Sequence, residues 1–195
     1  MGSMPHPEET LWYAVWTNNL MAVQRLLEGG ADPDETTTDR TPLMESVDEP
    51  EDFYGEDEAA ITDALLAAGA DVDRRDAEGR SALHYAVRAG AVPVRRLLEV
   101  GSDPNVRALD GSSPLHEAVR YGTSEVVELL LLGEAEPSHS DAEGRTPLDL
   151  AEAEARNFRG GRRRTPPAAR TRQFSTHLNV PILIACGPDE PVVWA

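Results

Sequence analysis

Chemistry at a protein site needs reactive groups that converge, so histidines, cysteines and carboxylates are placed first. The five histidines stand at 6, 84, 116, 139 and 177, with no His-x-x-x-His spacing among them. Cys186 is the single cysteine, sits in an apolar run, and reads as a small buried hydrophobe rather than a nucleophile. With one cysteine, neither an internal disulfide nor a cysteine-based zinc site is expected. Gly29-Gly30 and Gly160-Gly161 are turn signals, not a loop that cradles phosphate. Acidic pairs are numerous among the 35 acids, but abundance without placement means little, and they read mostly as a solvated face. No catalytic set, no metal site and no cofactor is expected, so enzyme activity is the weakest functional class.

The elements that carry these residues come next. The chain has 195 residues and a net charge of -17, which suits one domain with an appendage. Hydrophobic residues make up 40% and aromatics 5%, so the core must be aliphatic. No apolar run approaches the roughly 18 residues needed to cross a bilayer. Glu8 and Glu9 near the start argue against a secretory signal, so a cytoplasmic setting is expected. Met1-Gly2-Ser3-Met4 reads as a tag ahead of a natural start, and residues 1–7 as a flexible end. Every basic residue is Arg, and with abundant Ala, Gly and Pro this suits a GC-rich bacterial genome. Residues 1–154 carry 33 acids against 11 Arg, whereas residues 155–195 carry 2 acids against 7 Arg. The acidic body is therefore a poor match for nucleic acid, whose phosphates need cations.

Sliding the sequence by 32 or 33 positions lays it on itself. Gly79-Arg80-Ser81-Ala82-Leu83-His84 aligns with Gly111-Ser112-Ser113-Pro114-Leu115-His116 and then with Gly144-Arg145-Thr146-Pro147-Leu148-Asp149. An earlier copy is Asp39-Arg40-Thr41-Pro42-Leu43-Met44. Gly30-Ala31-Asp32 recurs as Gly69-Ala70-Asp71 and Gly101-Ser102-Asp103. Within one unit, a Thr or Ser caps a helix with Pro in its first turn. That helix ends at Gly90 or Gly122, where a left-handed residue is expected. A second helix then carries Val94, Leu97 and Leu98, or Val126, Leu129 and Leu130, at helical spacing. Neither helix buries its apolar face alone, but stacked copies do.

These motifs resemble the ankyrin-repeat family over roughly residues 10–157. The resemblance implies an all-α solenoid of stacked helix–turn–helix units with projecting loops, a concave surface and an irregular C-terminal extension. Five units are expected, at about 8–39, 40–78, 79–110, 111–143 and 144–157, the last incomplete. His84 and His116 fall on the motif histidine, which implies hydrogen bonds within or between units rather than catalysis. Departures are visible. Unit one lacks Thr-Pro, as a capping unit would. Unit two is about eight residues longer, through the segment 48–58, read as a loop between its two helices with seven acids around Phe53 and Tyr54. Pro93 sits near the start of a second helix, and Glu134 stands where Gly is usual.

Residues 158–195 read as an Arg/Pro-rich linker, Arg162 to Pro167, followed by apolar stretches that fold back over the open end of the stack. A basic extension on an acidic body also suits contact with its own repeats.

The resemblance implies binding of another protein through the concave face and loop tips. Those places fall on Trp16, Asp48, Arg88, Arg120 and Tyr121 in the first helices. In the loops they fall on Arg40, Arg75, Arg80, Arg107, Leu109 and Arg145, with Phe53 and Tyr54 in the insert. Arg, Trp and Tyr are the types enriched at binding hot spots. Two other readings stay open. One is an acidic inhibitor or immunity-type protein that neutralises a basic toxin or enzyme. The other is a regulatory subunit with a small-molecule pocket near the extension.

Overall fold

The computed structural model describes residues 10–36, 39–48 and 54–160, with side chains to residue 153. The expectations for Phe53, His6, His177, Cys186 and the extension beyond residue 160 lie outside the described residues. All regular structure among those described is helical. The helices are α1 (Leu11–Trp16), α2 (Leu20–Glu28), α3 (Pro42–Ser46), α4 (Glu56–Ala67) and α5 (Ala82–Ala89). They continue as α6 (Ala91–Glu99), α7 (Pro114–Tyr121), α8 (Ser124–Leu132) and α9 (Pro147–Gly160).

The helices form two rows. In the inner row α1, α3, α5, α7 and α9 pack each on the next; in the outer row α2 packs on α4 and α6 on α8. Each inner helix up to α7 also packs on the outer helix that follows it. One continuous core runs between the rows, with Val23, Leu43, Leu65, Leu83, Val94, Leu97, Val126 and Leu130 almost wholly buried. Each such aliphatic side chain stabilises by roughly 1.5–3 kcal/mol against leaving it in water.

Local chemistry starts each inner helix. Thr41 Oγ1 accepts from the Met44 N–H at 3.2 Å, with Pro42 in the first turn. Unit one, which lacks Thr-Pro, uses Thr10 Oγ1 as acceptor for the Tyr13 N–H at 3.3 Å. Glu35, from the following loop, accepts the Leu11 and Trp12 N–H groups at 2.6 and 3.2 Å. The loop that closes the first unit therefore satisfies free donors of its own first helix. Pro93 lies in the first turn of α6, where a missing N–H costs nothing.

Two expectations need correction. Gly90 has φ of 102°, but Gly122 has φ of -81° and is extended, not left-handed. Its glycine is required for space: a Cβ there would sit 2.8 Å from the Ala118 carbonyl oxygen. The insert is also not loop throughout, since Glu56, Asp57 and Glu58 form the first turn of α4. Negative charge suits the positive end of a helix dipole. Glu134 adopts φ of 68°, the conformation that glycine holds in the other units.

Helix α9 is longer than α5 and α7, which stop at Gly90 and Gly122. The position equivalent to Gly122 in the fifth unit is Ala155, which lets the helix run on.

Candidate functional site

Between units, the chain forms projecting fingers that precede α5, α7 and α9. Each closes on a paired backbone: Asp76 N–H to the Arg80 carbonyl at 3.0 Å, Ala108 to Ser112 at 2.8 Å, and Asp141 to Arg145 at 2.9 Å. Neighbouring fingers are joined through Leu109 N–H to Glu78 O and Ala142 N–H to Asp110 O, both at 2.8 Å. Arg75 and Arg107 strengthen this lattice. Arg75 donates to the Gly79 carbonyl and across to the Arg107 carbonyl; Arg107 donates to the Gly111 carbonyl and across to the Ser140 carbonyl. These two arginines sit on the fingers as expected, with their donors turned to backbone.

The motif histidines tie finger to helix. His84 Nδ1 accepts the Ser81 N–H at 3.1 Å, which leaves Nε2–H to donate to the Ser112 carbonyl of the next unit at 3.4 Å. His116 repeats this with the Ser113 N–H at 3.2 Å and the Arg145 carbonyl at 3.1 Å. Burial, against the opposing pull of the Ser112 carbonyl, lowers the His84 pKa to about 4. Burial lowers that of His116 as well. Both rings act as neutral staples between units.

The inner row presents a network of arginines, tyrosines and acids. Arg40 is half-buried, 2.6 Å from Asp48 and 3.3 Å from Glu45, and lies over the Tyr85 ring at 4.0 Å. Tyr85 donates to Asp76 at 2.5 Å, and burial, with that bond, pushes its pKa up to about 12. Burial opposes the charge of Arg80, at the base of the first of these fingers, but neighbouring Tyr85 outweighs it and raises the Arg80 pKa. Further along, Arg120 lies 3.8 Å from Glu117 and 3.7 Å from Asp141. Asp141 also holds Arg145 at 2.8 Å, and Arg145 reaches Glu143 at 2.7 Å. Burial opposes ionisation of Asp141, yet the donors from Arg145 and Glu143 outweigh it and hold its pKa below the usual carboxylate value.

The remaining predicted residues differ in exposure. Trp16, at the end of α1, is 58% exposed and stacks on Trp12 with ring centres 6.1 Å apart. Tyr121, at the end of α7, is 64% exposed, and Leu109, on a finger tip, is 78% exposed. Arg88 is exposed, with its guanidinium 5.7 Å from the Tyr121 ring centre. Tyr54 does not project: its hydroxyl meets Thr62 Oγ1 at 3.1 Å and the ring is half-buried against α4.

Sequence reasoning missed Tyr85, Glu45 and Glu117, which order the inner arginines. The signal was available, because the three share one register, two residues after Leu83, Leu43 and Leu115 respectively. It also took the acids as solvated. Asp34 accepts the Asp71 N–H at 3.1 Å, Asp73 accepts the Asp103 N–H at 2.9 Å, and Asn105 accepts the Glu136 N–H at 2.7 Å. Each unit thereby satisfies a donor on the next.

A hollow lined by Val15, Trp16, Asn18, Glu45, Ser46, Glu58 and Ile61 holds about 30 Å³, room for about one water. Among the described residues no group of three His, Cys, Asp or Glu is placed to hold a metal ion, and no helix is long and apolar enough to cross a membrane.

No curated protein matches the chain as a relative. The sequence pattern of one family, described as ankyrin repeats in three copies, matches residues 11–108 and 93–158. Matched motifs, stacked helix pairs and histidine staples agree, and the chain belongs to the ankyrin-repeat family.

Proposed function

We propose that this protein is a non-enzymatic, cytoplasmic binding module that recognises a partner protein through its inner row and finger tips. Ankyrin repeats are in general protein–protein interaction modules. One observation carries the more specific reading. Trp16 and Tyr121, the large aromatics most exposed among the described residues, both end an inner helix, and exposed Leu109 sits on a finger tip. Aromatics held in place by a rigid scaffold lose little entropy on binding and are favoured at hot spots. The cross-linked fingers supply that rigidity.

Photo-crosslinking residues placed singly at 16, 109 and 121, and at 21 and 92 on the outer row, test this in a native-host extract. The expected outcome is one shared adduct from the three inner positions and none from the outer pair. Adducts confined to 21 and 92 overturn the reading.

A further inference from the structure

The inner arginines are not equivalent. Arg40, Arg120 and Arg145 each face two carboxylates. Arg75 and Arg107 hold backbone carbonyls, and Arg80 lies in the field of Tyr85, Glu117 and Asp110. A partner that used any of these would first have to displace an interaction inside the protein. Arg88 is different: it is exposed, and among the described residues its recorded contact is the face of Tyr121, with no carboxylate and no carbonyl. A guanidinium over an aromatic ring keeps its in-plane donors for a planar, two-point acceptor. Tyr121 itself offers an exposed aromatic surface beside it.

We propose that Arg88 and Tyr121 form a recognition patch for an acidic peptide segment of the partner, with an Asp or Glu side chain on Arg88 and a neighbouring apolar side chain on Tyr121. This rests on the inner-row reading above and names the partner's chemistry there. The carboxylate is set by charge complementarity, since Arg88 is a cation of the inner row that meets no carboxylate and no carbonyl among the described residues. Glu117, on the helix that carries Tyr121, is engaged with Arg120. At physiological salt the field of more distant acids is screened within about 8 Å. The patch therefore accepts an anion even though the whole chain is acidic.

The test is selection of a displayed random-peptide library on the full chain, followed by binding of the selected peptides, with amidated C-termini, to variants. Enrichment of Asp or Glu within a few residues of an apolar or aromatic residue is expected. Arg88→Ala and Tyr121→Ala should each weaken those peptides roughly tenfold or more, and Arg88→Lys should restore only part of the loss. The melting temperature of Arg88→Ala should match that of the parent, because among the described residues Arg88 makes no contact but the exposed one with Tyr121. Selection of basic peptides, of peptides that need a free C-terminal carboxylate, or of peptides indifferent to Arg88→Ala overturns the proposal. Peptides indifferent to Arg88→Ala but lost on Trp16→Ala or Leu109→Ala overturn it and leave the inner-row reading standing. Peptides indifferent to all four substitutions overturn both.

Discussion

At the scale of single residues, the same side-chain type does different work according to what surrounds it. Two histidines that sequence spacing excludes from metal binding are buried neutral and join units through Nε2–H. Their cost appears in acid. The folded pKa of His84, about 4, lies below the unfolded value of about 6.5. Its contribution is therefore complete above pH 6.5 and is lost as pH falls towards 4. For His84 this loss is on the order of 3 kcal/mol, and His116 shifts in the same direction. Urea unfolding at pH 7 and pH 4.5 should show the drop, and His84→Gln should flatten it. An unchanged slope in the variant would count against the staple. The histidine role was legible from position alone. The division of the arginines into engaged and available was not, because it depends on Asp141, Glu45 and Tyr85, which the fold brings alongside.

At the scale of elements, helix starts were readable and helix ends less so. Thr41 with Pro42 and Ser113 with Pro114 announce their helices, because capping is a local bond. Gly122 was read as a left-handed cap, whereas the structure uses it for clearance from Ala118. Gly122→Ala should thus destabilise by about 1–3 kcal/mol through a backbone clash. Glu134 makes the opposite case, holding φ of 68° with a side chain. Glu134→Gly should gain about 1 kcal/mol by removing the left-handed penalty. Denaturant midpoints of the two variants should move in opposite directions. The start of α4 within the acidic insert was missed because three consecutive acids look like loop, although a helix N-terminus welcomes them.

At the scale of the whole molecule, charge and stacking pull against each other. With 33 acids against 11 Arg in residues 1–154, like-charge repulsion is expected to outweigh the ion pairs of the stack. Raising salt from low ionic strength should therefore raise the melting temperature by a few degrees. A fall would mean that the ion pairs dominate. The sequence by itself determined the repeat, the helical pairs and the aliphatic core, because a unit that recurs every 32 or 33 residues records its local caps and apolar spacing in each copy. Only the tertiary structure decided which cations remain open. Arg88 and Arg120 occupy the same repeat position, yet Arg120 meets Glu117 and Asp141 while Arg88 meets an aromatic face. Such pairing depends on which side chains the folded chain brings within a few ångströms, and the repeat period does not encode that distance.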